Sequence, residues 1–165
     1  MKHIFISVLL LVTLFLNAQN NLENISKALN SQLKKELKKY PRNEQDSFQV
    51  LDFFKIDSMK NLSLRVKWYN PYIKQYTVTL SEVPLEKITT IGKDINVVFF
   101  TEENSVKTTT TQIQANGKAS TPEIIYSNMF FTEINKEQQN RRFRDKIIKI
   151  FKKAGYEISF EIWYD

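Results

Sequence analysis

The sequence YEISFEIWY at residues 156–164 decides the fold class of the chain. Apolar and polar side chains alternate along it, which is the pattern of a strand with one covered face in an antiparallel sheet. The side chains expected on the covered face are Tyr156, Ile158, Phe160, Ile162 and Tyr164. The side chains expected on the other face are Glu157, Ser159, Glu161 and Trp163. We therefore expect this segment to be one strand of an antiparallel sheet.

Two amphipathic helices are expected, one near the start of the chain and one just before this strand. Residues 21–40 place apolar side chains at steps of three and four, and Pro41 ends the pattern. The stripe of this first helix consists of Leu22, Ile25, Leu29, Leu33, Leu37 and Tyr40. Residues 134–154 form the second helix, with Gly155 as a natural C-terminal cap. Its buried stripe is predicted to be Phe143, Ile147, Ile150, Phe151 and Ala154.

Period-two patterns between the helices predict about six further strands. These patterns fall at residues 48–56, 62–69, 76–80, 95–101, 105–114 and 124–131. Residues 83–92 are predicted to be a loop or a single helical turn, and turns at Glu103-Asn104 and Asn116-Gly117 are expected to close hairpins. The fold prediction is α+β, with a single antiparallel sheet of about six to seven strands and an N-terminal and a C-terminal helix packed on one face.

The first 18 residues have the layout of a secretory signal peptide. Lys2 precedes the apolar run Ile4 to Leu16, and the small residue Ala18 follows it. A membrane-spanning helix needs about 20 apolar residues, so this run is too short for a permanent anchor. We expect residues 1–18 to be removed and residues 19–165 to form a single α+β domain that is secreted or periplasmic. The mature chain is expected to contain no transmembrane segment.

The composition excludes several kinds of chemistry. The chain has no cysteine, and its only histidine, His3, lies in the segment expected to be removed. Catalysis by Ser-His-Asp or Cys-His groups, and zinc sites built on imidazole or thiolate, are therefore excluded from the mature chain. We expect the mature chain to bind no cofactor and no metal, and to contain no catalytic residue of the Ser-His-Asp or Cys-His kind. The ending Leu-Asn-Ala-Gln at residues 16–19 and the richness in Lys, Asn and Ile resemble secreted proteins of Bacteroidota-type bacteria.

The most conspicuous cluster of charge lies on the predicted second helix. Residues 141–146 read RRFRDK, and further lysines follow toward the end of the helix. The candidate partner-binding residues are Arg141, Arg142, Arg144, Lys149, Lys152 and Lys153. A solvated helix face is one interpretation, and an electrostatic patch for an acidic protein, a glycan or an anionic envelope surface is the other. Nucleic acid is not expected, since no recognition motif accompanies the charges and export removes the usual target.

Carboxylates and aromatic side chains are the remaining candidates for a site. Glu157 and Glu161 share a strand face about 13 Å apart, beyond the spacing of about 5–9.5 Å in glycosidases. Asp52 interrupts an apolar strand, where burial would raise its pKa, although a bulge or an edge position explains it equally well. Trp163 could offer a stacking surface to a sugar or a partner protein, with packing in the core or on the sheet as the alternative.

The sequence leaves three functional hypotheses open. The first is an exported, non-catalytic binding or accessory protein of a bacterial cell envelope. It would contact an acidic partner through the basic C-terminal helix, or another partner through the aromatic face of the sheet. The second is an inhibitor or immunity-type protein that occludes another protein. The third is a small hydrolase that depends on carboxylates. The absence of His and Cys from the mature chain favours the non-catalytic hypotheses but does not separate the first two.

Overall fold

The computed structural model of the chain describes residues 2–40, 48–114, 116–136 and 140–164, with side chains described from residue 21 onward. Two α-helices and nine strands form within these ranges. The helices are α1 (Lys2–Lys39) and α2 (Arg141–Lys153). The strands are β1 (Gln49–Ile56), β2 (Asn61–Asn70), β3 (Gln75–Pro84), β4 (Ile88–Lys93), β5 (Val97–Thr101), β6 (Val106–Ile113), β7 (Glu123–Ser127), β8 (Met129–Phe131) and β9 (Ser159–Trp163). A 3-10 turn, Leu85–Lys87, separates β3 from β4.

The strands form two sheets, and not the single sheet that the sequence predicts. The first sheet has five antiparallel strands in the order β1-β2-β3-β6-β7. The second sheet has four strands in the order β8-β5-β4-β9, and its β4–β9 pair is parallel. The α+β class and the two terminal helices are confirmed, whereas the single sheet of six to seven strands is wrong. Side chains from both sheets and both helices contribute to one hydrophobic core.

The chain leaves the first sheet at Pro84, the last residue of β3. The side chain of Leu85 is fully buried, and its backbone N–H donates to the carbonyl of Lys60 at 3.1 Å. β4 starts directly after this turn, so the loop predicted for residues 83–92 is wrong beyond Leu85–Lys87. Gly92 caused the error, because glycine usually weakens a strand. Here it lies inside β4, where an added Cβ would come within 2.9 Å of the Phe100 ring.

The predicted hairpin around Glu103-Asn104 is wrong as well, because β5 and β6 belong to different sheets. β5 pairs with β4 and β8, while β6 pairs with β3 and β7. At the corner between the sheets, the hydroxyl of Thr101 donates to the carbonyl of Glu103. The single strand expected at residues 124–131 is likewise divided between the two sheets as β7 and β8. The Asn116-Gly117 turn does connect antiparallel neighbours, β6 and β7, and Gly117 has a φ of 83°.

The two helices contact each other and complete the core over the sheets. The predicted stripes are confirmed at their centres, where Ile25, Leu29 and Leu33 of α1 and Phe143, Ile147 and Phe151 of α2 are buried. Leu22, Leu37, Ile150 and Ala154 are partly buried, whereas Tyr40 is 36% exposed and lies beyond the end of α1. The second helix begins at Arg141 and not at residue 134. Helix α1 is continuous from Lys2, so it includes the segment predicted to be an export signal. In the part of the chain that the structure describes, neither helix has a stretch long and apolar enough to cross a membrane.

At the end of the last strand, the burial of Phe160, Ile162, Trp163 and Tyr164 is the opposite of the sequence prediction, whereas Ile158 is buried and Glu161 is exposed as predicted. β9 joins the edge of the second sheet parallel to β4, with an irregular register between Ile91 and Lys93. Trp163 is only 9% exposed, whereas Phe160, Ile162 and Tyr164 are 50%, 56% and 60% exposed. The indole N–H of Trp163 donates to Asn140 Oδ1 at 3.1 Å, which satisfies its one donor inside the core. Core packing is therefore the role of Trp163, and it offers no stacking surface to a partner.

A buried carboxylate fixes α1 to the segment that leads into α2. Glu36 is 3% exposed, and its Oε2 accepts hydrogen bonds from the backbone N–H groups of Asn135 at 2.9 Å and Lys136 at 2.8 Å. Its Oε1 accepts a third hydrogen bond from Gln32 Nε2 at 3.2 Å. Hydrogen bonds to a charged group are stronger than neutral ones, so this contact stabilises the packing of α1 against the distant segment.

We expect the substitution Glu36→Ala to lower the free energy of unfolding by about 2–4 kcal/mol, because two backbone donors lose a charged acceptor whose side chain is buried. Urea denaturation followed by circular dichroism measures the change. The matched control is Glu23→Ala, which removes a surface pair with Lys27 in which the Glu23 side chain is 52% exposed. An exposed pair contributes about 0–1 kcal/mol, so the control should change stability little. Equal effects of the two substitutions would contradict the role assigned to Glu36.

The burial of Trp163 predicts how the two tryptophans respond to a collisional quencher. In a Trp68→Phe variant the remaining Trp163 should emit at short wavelength and resist quenching by acrylamide, because its ring is buried. In a Trp163→Phe variant the remaining Trp68, which is 36% exposed, should be quenched more strongly. Equal quenching in the two single-tryptophan proteins would contradict the burial of Trp163.

Candidate functional site

Helix α2 separates its apolar and basic side chains cleanly. Its buried stripe faces the core, and its exposed cations are Arg141, Arg142, Lys146, Lys149, Lys152 and Lys153. Four of these lie along one side of the helix at steps of three and four residues. This group, which we call the basic row, consists of Arg142, Lys146, Lys149 and Lys153. From Arg142 to Lys153 it extends about 16 Å along the helix axis.

Arg144 differs from the other predicted binding residues, because it is packed against the protein. Its side chain is 15% exposed and pairs with Asp145, with Nη2 2.9 Å from Oδ1. Its guanidinium carbon lies 4.0 Å from the ring centroid of Phe160 and 5.7 Å from that of Trp163. Cation–π contacts of this kind stabilise the packing of α2 against β9. Arg144 therefore positions the helix, and it presents little charge to a partner.

The basic row has no partner charge within the described part of the chain. Arg142, Lys146, Lys149 and Lys153 make no hydrogen bond or ion pair through their side chains there. The lysines of the sheets are different, since several are paired with carboxylates: Lys55 with Asp52 at 2.6 Å, Lys87 with Glu103 at 3.3 Å and Lys107 with Glu82 at 3.3 Å. The positive potential of the helix is therefore left uncompensated, whereas that of the sheets is partly neutralised.

Helix α1 adds to this positive surface, which sequence reasoning missed. A groove of about 270 Å³ lies between α1 and α2 and is lined by Lys27, Lys146 and Lys153. Asn21, Asn24 and Ser31 add polar groups to its walls. The sequence did show a cluster of lysines between residues 34 and 39, which fits the dipole at the end of α1. Nothing in one sequence indicates that Lys27 of α1 would lie beside the basic row.

Charge is distributed unevenly between the helices and the sheets. Helix α2 carries seven basic residues and one acidic residue, and residues 21–39 carry five lysines and two glutamates. The whole chain has a formal net charge of +6, so the rest of it contains more acidic than basic residues. A partner approaching the helices consequently meets a positive surface, and one approaching the sheets does not.

The carboxylates do not form a catalytic arrangement. Asp52 lies in β1, an edge strand, where the register with β2 shifts on both sides of it. Its Oδ1 accepts a hydrogen bond from Lys55 Nζ at 2.6 Å, and this bond holds the pKa of Asp52 below its usual value of 3.8, with a smaller contribution from Arg65. The bulge or edge explanation of Asp52 is therefore confirmed, and a raised pKa is wrong. Among the described residues, no group of acidic side chains could hold a metal ion.

The aromatic side chains of the first sheet are mostly engaged with one another. Tyr69 and Tyr76 have ring centroids 5.0 Å apart, and Lys67 Nζ lies 3.9 Å from the Tyr76 centroid. Trp68 lies against Phe48 with centroids 4.5 Å apart. Tyr72 is 95% exposed and lies in the turn between β2 and β3. These contacts describe sheet-surface packing, and they do not assemble an open stacking platform.

The basic row is the candidate site that the geometry supports best. It combines a rigid helical scaffold, a regular spacing of cations and the absence of partner carboxylates in the described residues. The chemistry that this arrangement offers is the binding of negative charge, because Lys and Arg side chains are positively charged hydrogen-bond donors. Comparison of the chain with protein-family models, curated proteins and solved structures finds no match to any of them.

Proposed function

We propose that this is an exported, non-catalytic binding or accessory protein of a bacterial cell envelope that contacts an acidic partner through the basic row. The observation that carries the proposal is the set of four exposed cations on one side of α2 without partner charges in the described residues. An isolated surface charge is well solvated and gains little from a single counter-charge. Several cations in one row attract an anionic surface together, because their potentials add.

The dimensions of the row indicate the kind of acidic partner. A row of about 16 Å spans several repeats of an extended polyanion, and it is too long for one small anion. Arg141 and Lys152 flank the row and widen the positive surface. Suitable partners are an acidic protein segment, a charged glycan or a layer of anionic headgroups, each of which presents negative groups at repeated intervals.

The carboxylate-dependent hydrolase has less support than the binding protein. The acidic residue with the most unusual position in sequence, Asp52, is tied to Lys55 and has a lowered pKa. A general acid at neutral pH needs a raised pKa. Glu157 and Glu161 are both exposed to solvent.

The experiment is a pull-down from envelope extract with the tagged exported protein as bait. We expect the triple variant Arg142→Glu, Lys149→Glu and Lys153→Glu to retain less than about a tenth of the partner captured by the original protein. The reason is that repulsion replaces attraction along the row. Capture should also be lost in about 1 M salt, where the Debye length falls to about 3 Å.

The matched control reverses three exposed lysines in the turns of the sheets: Lys60→Glu, Lys74→Glu and Lys118→Glu. Both variants change the net charge of the chain equally, so a general effect of charge would weaken capture in both. Retention of the partner by the control alone assigns binding to the basic row. A partner held equally by all three proteins, or no specific partner at all, would refute the proposal.

A further inference from the structure

An apolar groove crosses the face of the second sheet that points away from the helices. Phe99 on the inner face lies 5.4 Å from the Phe151 ring of α2, so its neighbour Phe100 points outward. Phe100 forms part of the floor of the groove, and side chains from both edge strands form its walls: Met129 and Phe131 of β8, and Ile162 with Tyr164 at β9. The groove has a volume of about 550 Å³, and both walls are substantially exposed.

The floor of this groove is already in place without a partner. Gly92 lies beneath the ring of Phe100, and a Cβ there would approach Phe100 Cε2 to 2.9 Å. The missing side chain lets the ring lie close against β4. A site whose surface is built in advance binds without the cost of ordering it first.

Two carboxylates lie beside the apolar walls. Asp94 and Glu161 line the groove, are exposed, and make no side-chain hydrogen bond or ion pair to the described residues. Lys93 also contributes to the lining, but it is only 5% exposed. The charge that the groove presents to solvent is therefore negative, opposite to that of the basic row.

The width of the groove limits what can occupy it. Its walls stand on β8 and β9, the two outer strands of a four-stranded sheet, which three strand spacings place about 14 Å apart. A single α-helix with its side chains is about 10–12 Å wide. A second copy of the chain would place one concave groove against another and leave a void between them. The carboxylates of the two grooves would also repel each other. An uncharged apolar molecule would leave both carboxylates without a partner.

We propose that this groove binds an amphipathic helix of another protein, whose apolar face lies on Phe100, Phe131 and Ile162 and whose flanking basic residues pair with Asp94 and Glu161. Helices are recognised in this way when an apolar groove receives side chains spaced at three and four residues. The site lies on the opposite face of the sheet from the basic row and binds the opposite charge. It does not depend on the function proposed above.

The test uses a fluorescent 18-residue probe peptide of leucine and lysine with leucines at helical spacing, and a second peptide in which glutamine replaces every lysine. We expect the full chain to bind the leucine–lysine peptide at least tenfold more tightly than the leucine–glutamine peptide, as measured by fluorescence anisotropy. The double variant Asp94→Asn and Glu161→Gln should remove this preference. The basic row repels the leucine–lysine peptide, so binding there cannot imitate the result.

The apolar contact is tested by a matched pair of variants. Ile162→Lys changes a groove residue that is 56% exposed, and Ile124→Lys changes a β7 residue outside the groove that is 53% exposed. We expect the first to weaken binding of the leucine–lysine peptide at least tenfold and the second to leave it unchanged. Circular dichroism checks that both variants fold. Should Ile162→Lys fail to fold, the carboxylate variant still decides the question, because it removes charge alone.

Three outcomes would overturn the proposal. The first is a result that shows no specificity: both peptides bind equally, or Ile162→Lys and Ile124→Lys weaken binding of the leucine–lysine peptide equally. The second is self-association in sedimentation experiments that Ile162→Lys abolishes while no peptide binds, which would make a second copy the occupant. The third is binding of a fluorescent fatty acid in the groove without peptide binding, which would make the site one for an acyl chain.

Discussion

The rest of the structure depends on a cluster of phenylalanines where the two sheets and α2 meet. Phe99 of β5 lies 5.4 Å from Phe151 of α2 and 6.4 Å from Phe130 of β8, and Phe130 lies 6.5 Å from Phe54 of β1, measured between ring centroids. Both sheets are thus joined through side chains that are almost completely buried. The chain has no cysteine, so no disulfide contributes to its stability, and burial of apolar side chains such as these rings has to supply it.

This arrangement separates two surfaces of opposite character. The helices turn their apolar stripes to the phenylalanine cluster, which leaves the basic row of α2 and the lysines of α1 facing outward. The second sheet turns Phe99 and Phe130 toward the same cluster, and alternation along its strands then leaves Phe100, Met129 and Phe131 on the far side. The two proposals made above assign an anionic partner to one of these surfaces and an apolar, basic segment to the other.

The sequence predicts the local elements better than it predicts how they assemble. Spacing of apolar residues is a property of each segment, and the buried stripes of α1 and α2 follow from it. The chain passes from one sheet to the other at Pro84 and near Glu103. The same residues could equally close hairpins within one sheet, so the sequence does not predict the division into two sheets. The burial of Trp163 at the end of β9 depends on the parallel pairing of this strand with β4, a contact between segments far apart in the chain. The cations of the basic row can be recognised in the sequence. The packing of Arg144 and the carboxylates beside the apolar groove could not be predicted, because both depend on where the strands lie in the fold.

The hydrogen bonds of Glu36 also bear on the order in which the chain can fold. Their partners, Asn135 and Lys136, are made about a hundred residues later, and α2 follows them. Asn30 of α1 forms hydrogen bonds with the backbone of Phe54, which is closer to it in the sequence. The apolar stripe of α1 is nevertheless fully covered only after α2 has been made and has packed against it. A growing chain therefore keeps an incomplete core until its last quarter is available, since contacts distant in sequence form late.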